Sequence, residues 1–352
     1  MAEKSRDRPR VRRSTGGPTI ANVATRAGVS PMTVSRVLND EAKVRPLTRN
    51  AVKDAMAALG YTPNPAARLL AGATQTRIAL LYSNPSAAYL SEVLVGSLAQ
   101  ASRSDALLVV DKSEPDGSAI EALRHLIARG VDGVLLPPPL CDSSQIIKLL
   151  RDANVPVALI ASGIPDPNAI SVSIDDRSAA REMTGYLLHL GHRRVAFIMG
   201  DPKQTASELR LAGYRDALEE AGLPDDATLV ASGDFSYRSG LAASRQLLDL
   251  DPLPTAIFAS NDDMAAAAVA MAHRRGLDVP RDLTVCGFDD TSLATTIWPE
   301  LTTIRQPIVE MAELAAELLI ATIRGRGNQR EAVQRVLPHR LVRRGTDAPL
   351  PA

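Results

Sequence analysis

Short, unbroken apolar runs separated by amphipathic helical stretches are the feature that most restricts the fold of this chain. Strands that are apolar on both faces belong in parallel sheets covered by helices, and each return to such a sheet is a right-handed crossover. Eight such units are more than one ordinary open sheet holds, so we expect an α/β protein with two similar lobes that divide near residues 173–175. The runs are residues 78–82, 107–110, 133–136, 157–160, 195–198, 229–230, 256–258 and 283–285.

The first 75 residues hold an excess of positive charge that the rest of the chain cancels. They contain 13 Lys and Arg against 5 Asp and Glu, whereas the whole chain of 352 residues has 40 of each. A basic segment on an acidic body is expected when only that segment meets a polyanion such as nucleic acid, the alternative being a merely solvated basic tail. Residues 1–17 have six basic residues and no apolar periodicity, and we interpret them as a disordered basic arm.

In residues 18–62 the apolar residues recur at helical spacing, interrupted by a turn. Thr19 is suited to cap a helix that begins at Ile20, Gly28 supplies a turn, and Ser30 with Pro31 is suited to begin a second helix. This is the plan of a helix-turn-helix DNA-binding domain, although three-helix bundles of other function share its outline. The apolar face of the second helix is expected to turn inward. The side chains that then face outward are Met32, Thr33, Ser35, Arg36 and Asn39.

Composition and motifs exclude several other classes of protein. Two distant cysteines, Cys141 and Cys286, and histidines without metal-pair spacing argue against a disulfide scaffold or a metal site, so we expect no cofactor. No apolar run approaches the ~20 residues that cross a bilayer, and the N-terminus lacks a signal-peptide core, so we expect a cytoplasmic protein without a membrane partner. Phosphate-loop, dinucleotide-binding and nucleophile-elbow motifs are absent from the sequence, so we do not expect an enzyme.

Several stretches closely resemble the LacI/GalR family of transcriptional regulators. The sequences TIANVA at 19–24, AGVS at 27–30 and TVSRVLN at 33–39 resemble the family's head, and GYTPNPAARLLAG at 60–72 resembles its hinge. The resemblance extends from about residue 19 to 345. It implies an N-terminal all-α helix-turn-helix head, joined by a hinge helix to a two-lobed body like that of periplasmic binding proteins, with two doubly wound parallel sheets.

The resemblance also implies a division into domains. After the basic arm at 1–17 we expect a DNA-binding domain at 18–62, a hinge helix and linker at 63–75, an effector-binding and dimerisation domain at 76–346, and a tail at 347–352. Within the body, the N-lobe is expected to take about 76–175 and 305–328, and the C-lobe about 176–304 and 329–346.

Contacts with double-stranded operator DNA are implied for the head and the hinge. In the family the hinge folds into a helix on DNA and wedges a leucine into the minor groove, and by position that leucine is Leu70. Pro31 and Met32 stand where the family's variable base-reading residues lie, so only an apolar contact, such as Met32 with a thymine methyl, is expected there. The implied DNA-binding residues are Thr19, Pro31, Met32, Thr33, Ser35, Arg36, Asn39, Asn64, Ala67 and Leu70.

A palindromic operator needs two heads, so we expect a homodimer formed through the body. Residues 343–352 are rich in helix breakers and lack the C-terminal leucine heptads of the family's tetramers.

The cleft between the lobes is the implied effector site, because ligands of doubly wound sheets bind at the carboxyl ends of the strands. Carboxylate, amide and guanidinium groups suit vicinal hydroxyls, and an aromatic ring suits the apolar face of a pyranose. We therefore expect a repressor released by a sugar or glycoside; the alternative is a corepressor-dependent regulator that binds a purine or another metabolite. The implied effector residues are Tyr89, Arg210, Phe235, Asn261 and Asp289, with Ser83, Asp175 and Gln306 as weaker candidates.

Overall fold

The computed structural model describes residues 18–38, 44–61, 75–113, 119–164, 166–325 and 333–350. The chain forms two compact units, divided in sequence between Thr74 and Gln75.

The described part of the first unit contains three helices, α1 (Ile20–Ala27), α2 (Pro31–Leu38) and α3 (Pro46–Leu59). Thr19 and Asn22 close the start of α1 reciprocally: the Thr19 hydroxyl accepts from the Asn22 N–H, and the Asn22 amide oxygen accepts from the Thr19 N–H at 2.8 Å. Gly28 ends α1 with a φ of 66°, a conformation that costs glycine little. The small core of this unit is built from Val23, Ala24, Val34, Val37, Val52 and Ala55.

Strands and helices alternate along most of the second unit, as the apolar runs predict. The N-lobe begins with β1 (Arg77–Tyr82), α4 (Ala87–Arg103), β2 (Leu107–Lys112), α5 (Ala119–Ala128), β3 (Gly133–Leu136), α6 (Ser144–Asp152), β4 (Val157–Ile160) and β5 (Ile170–Ser173). The C-lobe follows with α7 (Asp176–His189), β6 (Val195–Met199), α8 (Thr205–Glu220), β7 (Val230–Ser232), α9 (Tyr237–Leu248), β8 (Ala256–Ala259), α10 (Asp262–Arg274), β9 (Thr284–Asp289), α11 (Leu293–Thr296) and β10 (Thr302–Arg305). The last elements are α12 (Ile308–Ile323), β11 (Gln334–Val336) and β12 (Arg340–Val342).

Each lobe of the described body contains one six-stranded sheet, in the orders β11-β5-β4-β3-β1-β2 and β12-β10-β9-β8-β6-β7. Neighbouring strands are parallel except β12, which runs antiparallel to β10. The predicted two-lobed α/β class is confirmed, with this one antiparallel edge as a difference. The apolar-run pattern did not predict β5, β10, β11 or β12, because these short strands carry polar residues.

The chain passes between the lobes after β5, after β10 and after β11. The expected return to the C-lobe at about residue 329 is too early, because β11 pairs with β5 in the N-lobe sheet, with Gln334 opposite Ser171. The crossing therefore lies between Val336 and Arg340. The side chains of β11 are exposed, so no apolar signal marks this strand in the sequence.

Helix α12 packs on the N-lobe against α4 and against strands β3, β4 and β5. A Cβ atom at Gly96 of α4 would lie 2.3 Å from the backbone oxygen of Val309. The two helices therefore approach so closely that only glycine fits at this crossing. This contact joins the segment after the second crossing firmly to the N-lobe.

Candidate functional site

Helix α2 presents a solvent-exposed face with side chains suited to contact DNA. Pro31, Met32 and Arg36 are exposed, with Met32 65% accessible, whereas the apolar residues Val34 and Val37 are buried in the core of the unit. This arrangement follows from the apolar spacing of α2, which turns one face toward α1 and α3.

Two of the three hydroxyl-bearing candidates of the head, Thr19 and Thr33, have local hydrogen bonds. The Ser30 hydroxyl accepts from the Thr33 N–H at 3.1 Å and lies 2.9 Å from the Thr33 hydroxyl, which begins α2 in the predicted way. Thr19 serves the cap of α1, and Ser35 is half-buried on α2. The candidates Asn39, Asn64, Ala67 and Leu70 lie outside the described residues.

The body contains a cleft that brings together side chains from both lobes. Its empty volume is about 360 Å³, part of which is open to solvent. All five principal effector candidates and Gln306 line it, so the fold gathers residues that are up to 217 positions apart in the sequence, from Tyr89 to Gln306. The described lining residues are Asn84, Ser86, Tyr89, Pro138, Ala161, Gln204, Ala206, Arg210, Phe235, Asn261, Asp289 and Gln306.

Arg210 on α8 is held rigidly in the floor of the cleft, with 4% of its surface exposed. Its Nε donates to Asp176 Oδ1 at 2.7 Å, and its Nη1 donates to the backbone oxygen of Ser260. The guanidinium carbon lies 3.6 Å from the centre of the Phe288 ring. Bonding in its plane and stacking on its face leave this side chain little freedom.

Asp289 ends β9 in the middle of the C-lobe sheet and faces Arg210. Its Oδ1 lies 3.7 Å from Arg210 Nη1 and accepts a hydrogen bond of 2.6 Å from Gln306 Nε2. Burial raises the pKa of this carboxyl well above its ordinary value, and nearby Asp262 raises it further, against the lowering influence of Arg210. Burial therefore favours the protonated form of Asp289 more than it would for an exposed carboxyl group.

Phe235 and Asn261 form one unit on the C-lobe side of the cleft. The Asn261 amide nitrogen donates to the backbone oxygen of Phe235 at 2.9 Å, and its oxygen accepts from the Met264 N–H at 3.0 Å at the start of α10. A Cβ atom at Gly200 would lie 2.1 Å from the Phe235 ring, so the glycine leaves room for the aromatic side chain. Asn261 thus caps a helix and also positions the ring.

Tyr89 reaches the cleft from α4 of the N-lobe and carries a hydroxyl without a partner. Within the described chain this buried oxygen has no hydrogen bond, and neither does the buried Oε1 atom of Gln306. Burial raises the pKa of Tyr89, and the carboxyl of Asp289 raises it further, so the hydroxyl keeps its proton. Unbonded buried polar atoms are costly and uncommon, and at the wall of a cleft they indicate a place for ligand atoms.

Two sets of hydrogen bonds join the lobes around the cleft. Asp142 of the N-lobe accepts from the N–H of Thr205 at 2.9 Å and contacts its hydroxyl at 3.0 Å. The Ser86 hydroxyl donates to Asp263 Oδ2 of the C-lobe at 2.6 Å. Both contacts join the two lobes, so they stabilise this arrangement of the lobes directly.

Backbone strain is concentrated at the cleft. Among non-glycine residues of the described chain, six have positive φ, and Ala161, Phe235 and Asp289 of the cleft are three of them. A left-handed conformation costs such residues about 1–3 kcal/mol and is typical of functional sites.

Two of the weaker candidates do not line the cleft. Ser83 is half-buried at the end of β1, and Asp175 is exposed, where its carboxylate accepts from the Ser178 N–H at 2.9 Å and caps α7. The neighbouring carboxylate, Asp176, is the one that pairs with Arg210, because successive residues at a helix start point in different directions. Sequence reasoning did not single out Asp142, Asp176, Gln204 or Thr205, for which only the pairing of distant segments supplies a signal.

Within the described ranges, no group of three or more His, Cys, Asp and Glu side chains is arranged to hold a metal ion. In the same part of the chain no helix combines the length and the apolar character needed to cross a bilayer. Cys141 and Cys286 are both buried and free.

Two family models match the chain. The model for bacterial regulatory proteins of the lacI family matches residues 19–64, and the model for the periplasmic binding protein-like domain matches residues 184–346. The match at 19–64 includes all of α1, α2 and α3.

Three curated relatives are similar over almost their whole length. The transcriptional regulator CelR of Thermobifida fusca is 38% identical over 318 residues, which cover 88% of this chain and 92% of that protein. Catabolite control protein A of Priestia megaterium is 34% identical over 326 residues, covering 92% and 97%. The transcriptional repressor CytR of Escherichia coli strain K12 is 33% identical over 335 residues, covering 95% and 97%.

Solved structures agree with these matches. A complex of the transcriptional regulator CelR with cellobiose has a TM-score of 0.72 and 36% identity, and the alignment covers 94% of this chain and 99% of that one. The lac repressor dimer bound to operator and the anti-inducer ONPF also has a TM-score of 0.72, with 30% identity and coverage of 95% and 100%. The relatives named by these comparisons are transcription regulators, not enzymes.

Proposed function

The chain belongs to the LacI family of bacterial regulatory proteins, and from that premise we propose that it is a repressor that binds a palindromic operator as a homodimer and releases it when a sugar or glycoside enters the cleft. The observation that carries the proposal is the exposed face of α2 with Arg36, on a unit whose buried core holds the helix-turn-helix together. An arginine at such a position suits bidentate recognition of guanine in the major groove. Because its proposed target is operator DNA, we also propose a cytoplasmic location.

The sugar effector is supported by the chemistry of the cleft. Asp289 and Gln306 supply polar atoms next to the guanidinium of Arg210, and Phe235 supplies an aromatic face. Polar groups of these kinds bind hydroxyls, and the ring suits the apolar face of a sugar. The similarity to a regulator solved with cellobiose agrees with this class of ligand.

The homodimer is supported by apolar side chains that the body exposes. Val95 and Leu98 on α4 are 58% and 60% accessible, and Leu107 and Val110 on the edge strand β2 are also exposed. Apolar residues gathered on neighbouring elements indicate an interaction surface. The similar lac repressor was solved as a dimer on its operator.

Release of DNA needs a ligand that prefers one arrangement of the lobes over another. The contacts of Asp142 with Thr205 and of Ser86 with Asp263 belong to the closed arrangement, and a ligand that touches both lobes stabilises it further. Such a ligand shifts the population of closed lobes, and we propose that operator affinity falls with that shift.

A selection experiment tests the DNA-binding part of the proposal. Full-length protein is incubated with a random library of DNA duplexes at several salt concentrations, and the retained duplexes are sequenced. A palindromic consensus whose affinity falls steeply with salt is expected, because Lys and Arg contacts with phosphates release counterions. Retention without any sequence preference in all conditions would contradict the proposal.

A thermal-shift screen tests the effector. Monosaccharides, disaccharides, glycosides and purines are compared, because a ligand that binds only the native state raises its melting temperature. The ligand that raises it is then added to the protein–duplex complex. Release of DNA supports an induced repressor, whereas tighter binding with a purine supports the corepressor alternative and overturns the proposed direction.

A further inference from the structure

We infer that the effector of this cleft is an uncharged polyhydroxy molecule and that phosphorylated ligands are excluded from it. This inference rests on the proposed function, since it specifies the ligand of the same cleft. Its starting point is the charge of the walls. Among the lining residues that the structure describes, Arg210 is the one cation, and Asp289 contributes a carboxyl group beside it.

The positive charge of Arg210 is already compensated by the protein. Asp176 lies 2.7 Å from its Nε, and Asp289 lies 3.7 Å from its Nη1, so two carboxyl groups face one guanidinium. All three side chains are almost completely buried, where the penalty for an uncompensated charge is large. A phosphate added here would bring a further negative charge into a site without a cation left to balance it.

Two of the three guanidinium nitrogens of Arg210 are already hydrogen-bonded within the protein. Its Nε donates to Asp176, its Nη1 donates to the backbone oxygen of Ser260, and its flat face rests on the Phe288 ring. Arginine recognises phosphate best through two parallel N–H bonds from one edge. To offer the edge that contains Nε, Arg210 would have to leave Asp176 buried and unpaired.

Helix N-termini are the other common source of anion binding, and at α7, α8 and α10 they meet carboxyl groups of the chain. The first turn of α4 has no acidic residue, and there the Ser86 hydroxyl accepts from the Tyr89 N–H. The first N–H of α8, from Thr205, donates to Asp142. The first turn of α10 carries Asp262 and Asp263, and that of α7 carries Asp176. Carboxylates at these positions neutralise the positive end of the helix dipole, which otherwise attracts phosphate.

For uncharged ligands, by contrast, the cleft offers polar groups that have no hydrogen-bond partner in the described chain. The Tyr89 hydroxyl and the Gln306 Oε1 atom are buried at the cleft and unbonded in the described chain, and one is a donor while the other is an acceptor. A ligand hydroxyl both donates and accepts, so vicinal hydroxyls satisfy both atoms. The cleft therefore suits a polyol and is unsuited to an anion.

Matched pairs of ligands test the inference with the full-length protein. Glucose is compared with glucose 6-phosphate, ribose with ribose 5-phosphate, and adenosine with adenosine monophosphate, by calorimetric titration. In a pair that binds, we expect the phosphorylated member to bind about tenfold or more weakly than the neutral one. A phosphorylated member that binds as tightly as its neutral partner overturns the inference. If adenosine binds, neither sugar binds and adenosine monophosphate binds about tenfold more weakly, the sugar effector is contradicted and the exclusion of phosphate is supported.

Inorganic phosphate gives a measurement that does not depend on the identity of the effector. Titration of the protein with millimolar inorganic phosphate should show no saturable binding. Saturable binding that is lost in Arg210→Met would overturn the inference.

A substitution that should improve the binding of phosphorylated ligands provides a further test. Asp176→Asn keeps the size of the side chain and releases the edge of Arg210, so it should narrow the gap between neutral and phosphorylated ligands. Asp216→Asn is the matched control, because Asp216 pairs with the exposed Arg177 at 2.6 Å and does not line the cleft. An equal change in both variants, or an unchanged gap in a folded Asp176→Asn protein, would count against the inference.

Discussion

Asp142 of the N-lobe caps helix α8 of the C-lobe by accepting a hydrogen bond of 2.9 Å from the backbone N–H of Thr205. The Thr205 hydroxyl in turn accepts from the N–H of Gly163 at 2.8 Å, and Asp142 also accepts from the Ser162 hydroxyl. A helix cap is ordinarily supplied by the residue next to the helix. Here the cap comes from the other lobe, so it depends on the contact between the lobes.

We expect Asp142→Ala to weaken effector binding by favouring open lobes. Loss of a cap costs about 1 kcal/mol, and in this case the cost falls on the closed arrangement alone. The effector identified by thermal shift should then bind several-fold more weakly. Ser143→Ala is the control, because the Ser143 hydroxyl caps α6 within the N-lobe, so this variant should lose stability without losing affinity. Equal loss of affinity in both variants would contradict the role of Asp142 in closure.

We expect Tyr89→Phe to separate stability from ligand binding. The buried hydroxyl has no partner in the described chain, so its removal should leave the free energy of unfolding unchanged or higher. Effector affinity should fall by up to roughly tenfold, the usual value of one hydrogen bond. Denaturant unfolding and calorimetric titration measure the two quantities. In the control Tyr214→Phe, a hydroxyl that donates to the Val195 carbonyl at 2.8 Å is removed, and stability rather than affinity should fall.

We expect Asp262→Asn to remove a pH-dependent destabilisation. Burial raises the pKa of Asp262 from 3.8 to about 7. Between these values the folded protein holds a proton that the unfolded chain has lost, so this group's contribution to the free energy of unfolding decreases as the pH rises toward about 7. The Asn variant should therefore gain stability relative to the original protein between about pH 5 and about pH 8. Its amide can keep the bonds to Thr291 and Thr303 if the Thr303 hydroxyl turns to accept.

Asp216→Asn provides a control of opposite sign for this pH dependence. A hydrogen bond from the Arg177 guanidinium lowers the pKa of Asp216, so this carboxylate stabilises the fold above its unfolded pKa. Asp216→Asn should therefore be less stable than the original protein at higher pH. The difference should be small, because the Arg177–Asp216 pair is solvent-exposed. Urea unfolding at about pH 5 and about pH 8 measures the free energy of unfolding of the original protein and of both variants. An Asp262→Asn protein with the same pH dependence as the original protein would refute the prediction.

We expect Arg36→Ala to abolish sequence-specific DNA binding and to leave the effector response intact. A bidentate arginine–guanine contact discriminates by about 1–3 kcal/mol, and the proposed dimer makes it in each of two heads, so the preference for the selected duplex should approach that for random DNA. Fluorescence anisotropy with both duplexes measures this, and thermal shift measures effector binding. Arg124→Ala on α5 is the control for loss of one exposed positive charge. An Arg36→Ala protein that still prefers the selected duplex as strongly as the original protein would contradict the proposed role of α2 in base recognition.

We expect Leu98→Asp to yield monomers. Leu98 is 60% exposed on α4, and a charge placed in an apolar interface is strongly unfavourable. Sedimentation should show the mass of two chains for the original protein and of one chain for the variant. Ile164→Asp, at an exposed apolar residue of the N-lobe outside α4 and β2, should remain dimeric. A mass near four chains for the original protein would overturn the predicted dimer.

Features that depend on neighbouring residues could be predicted from the sequence alone. The cap at Thr19, the turn at Gly28 and the start of α2 at Ser30 are set within a few positions, and the structure has all three. Apolar runs located the central strands for the same reason, since burial on both faces demands apolar residues. The resemblance to the LacI/GalR family, which is confirmed, also led to the prediction that Tyr89 and Arg210 lie at the cleft.

Tertiary structure alone decided what each of these groups contacts. Arg210 and Asp176 are 34 positions apart, and Thr205 and Asp142 are 63 positions apart, so neither pairing has a local signature. Whether Asp175 or its neighbour turns inward depends on the direction in which α7 leaves the crossover. The charge balance of the cleft, and therefore the ligands it can hold, follows from these distant pairings because a buried charge takes its partner from whichever segment the fold brings beside it.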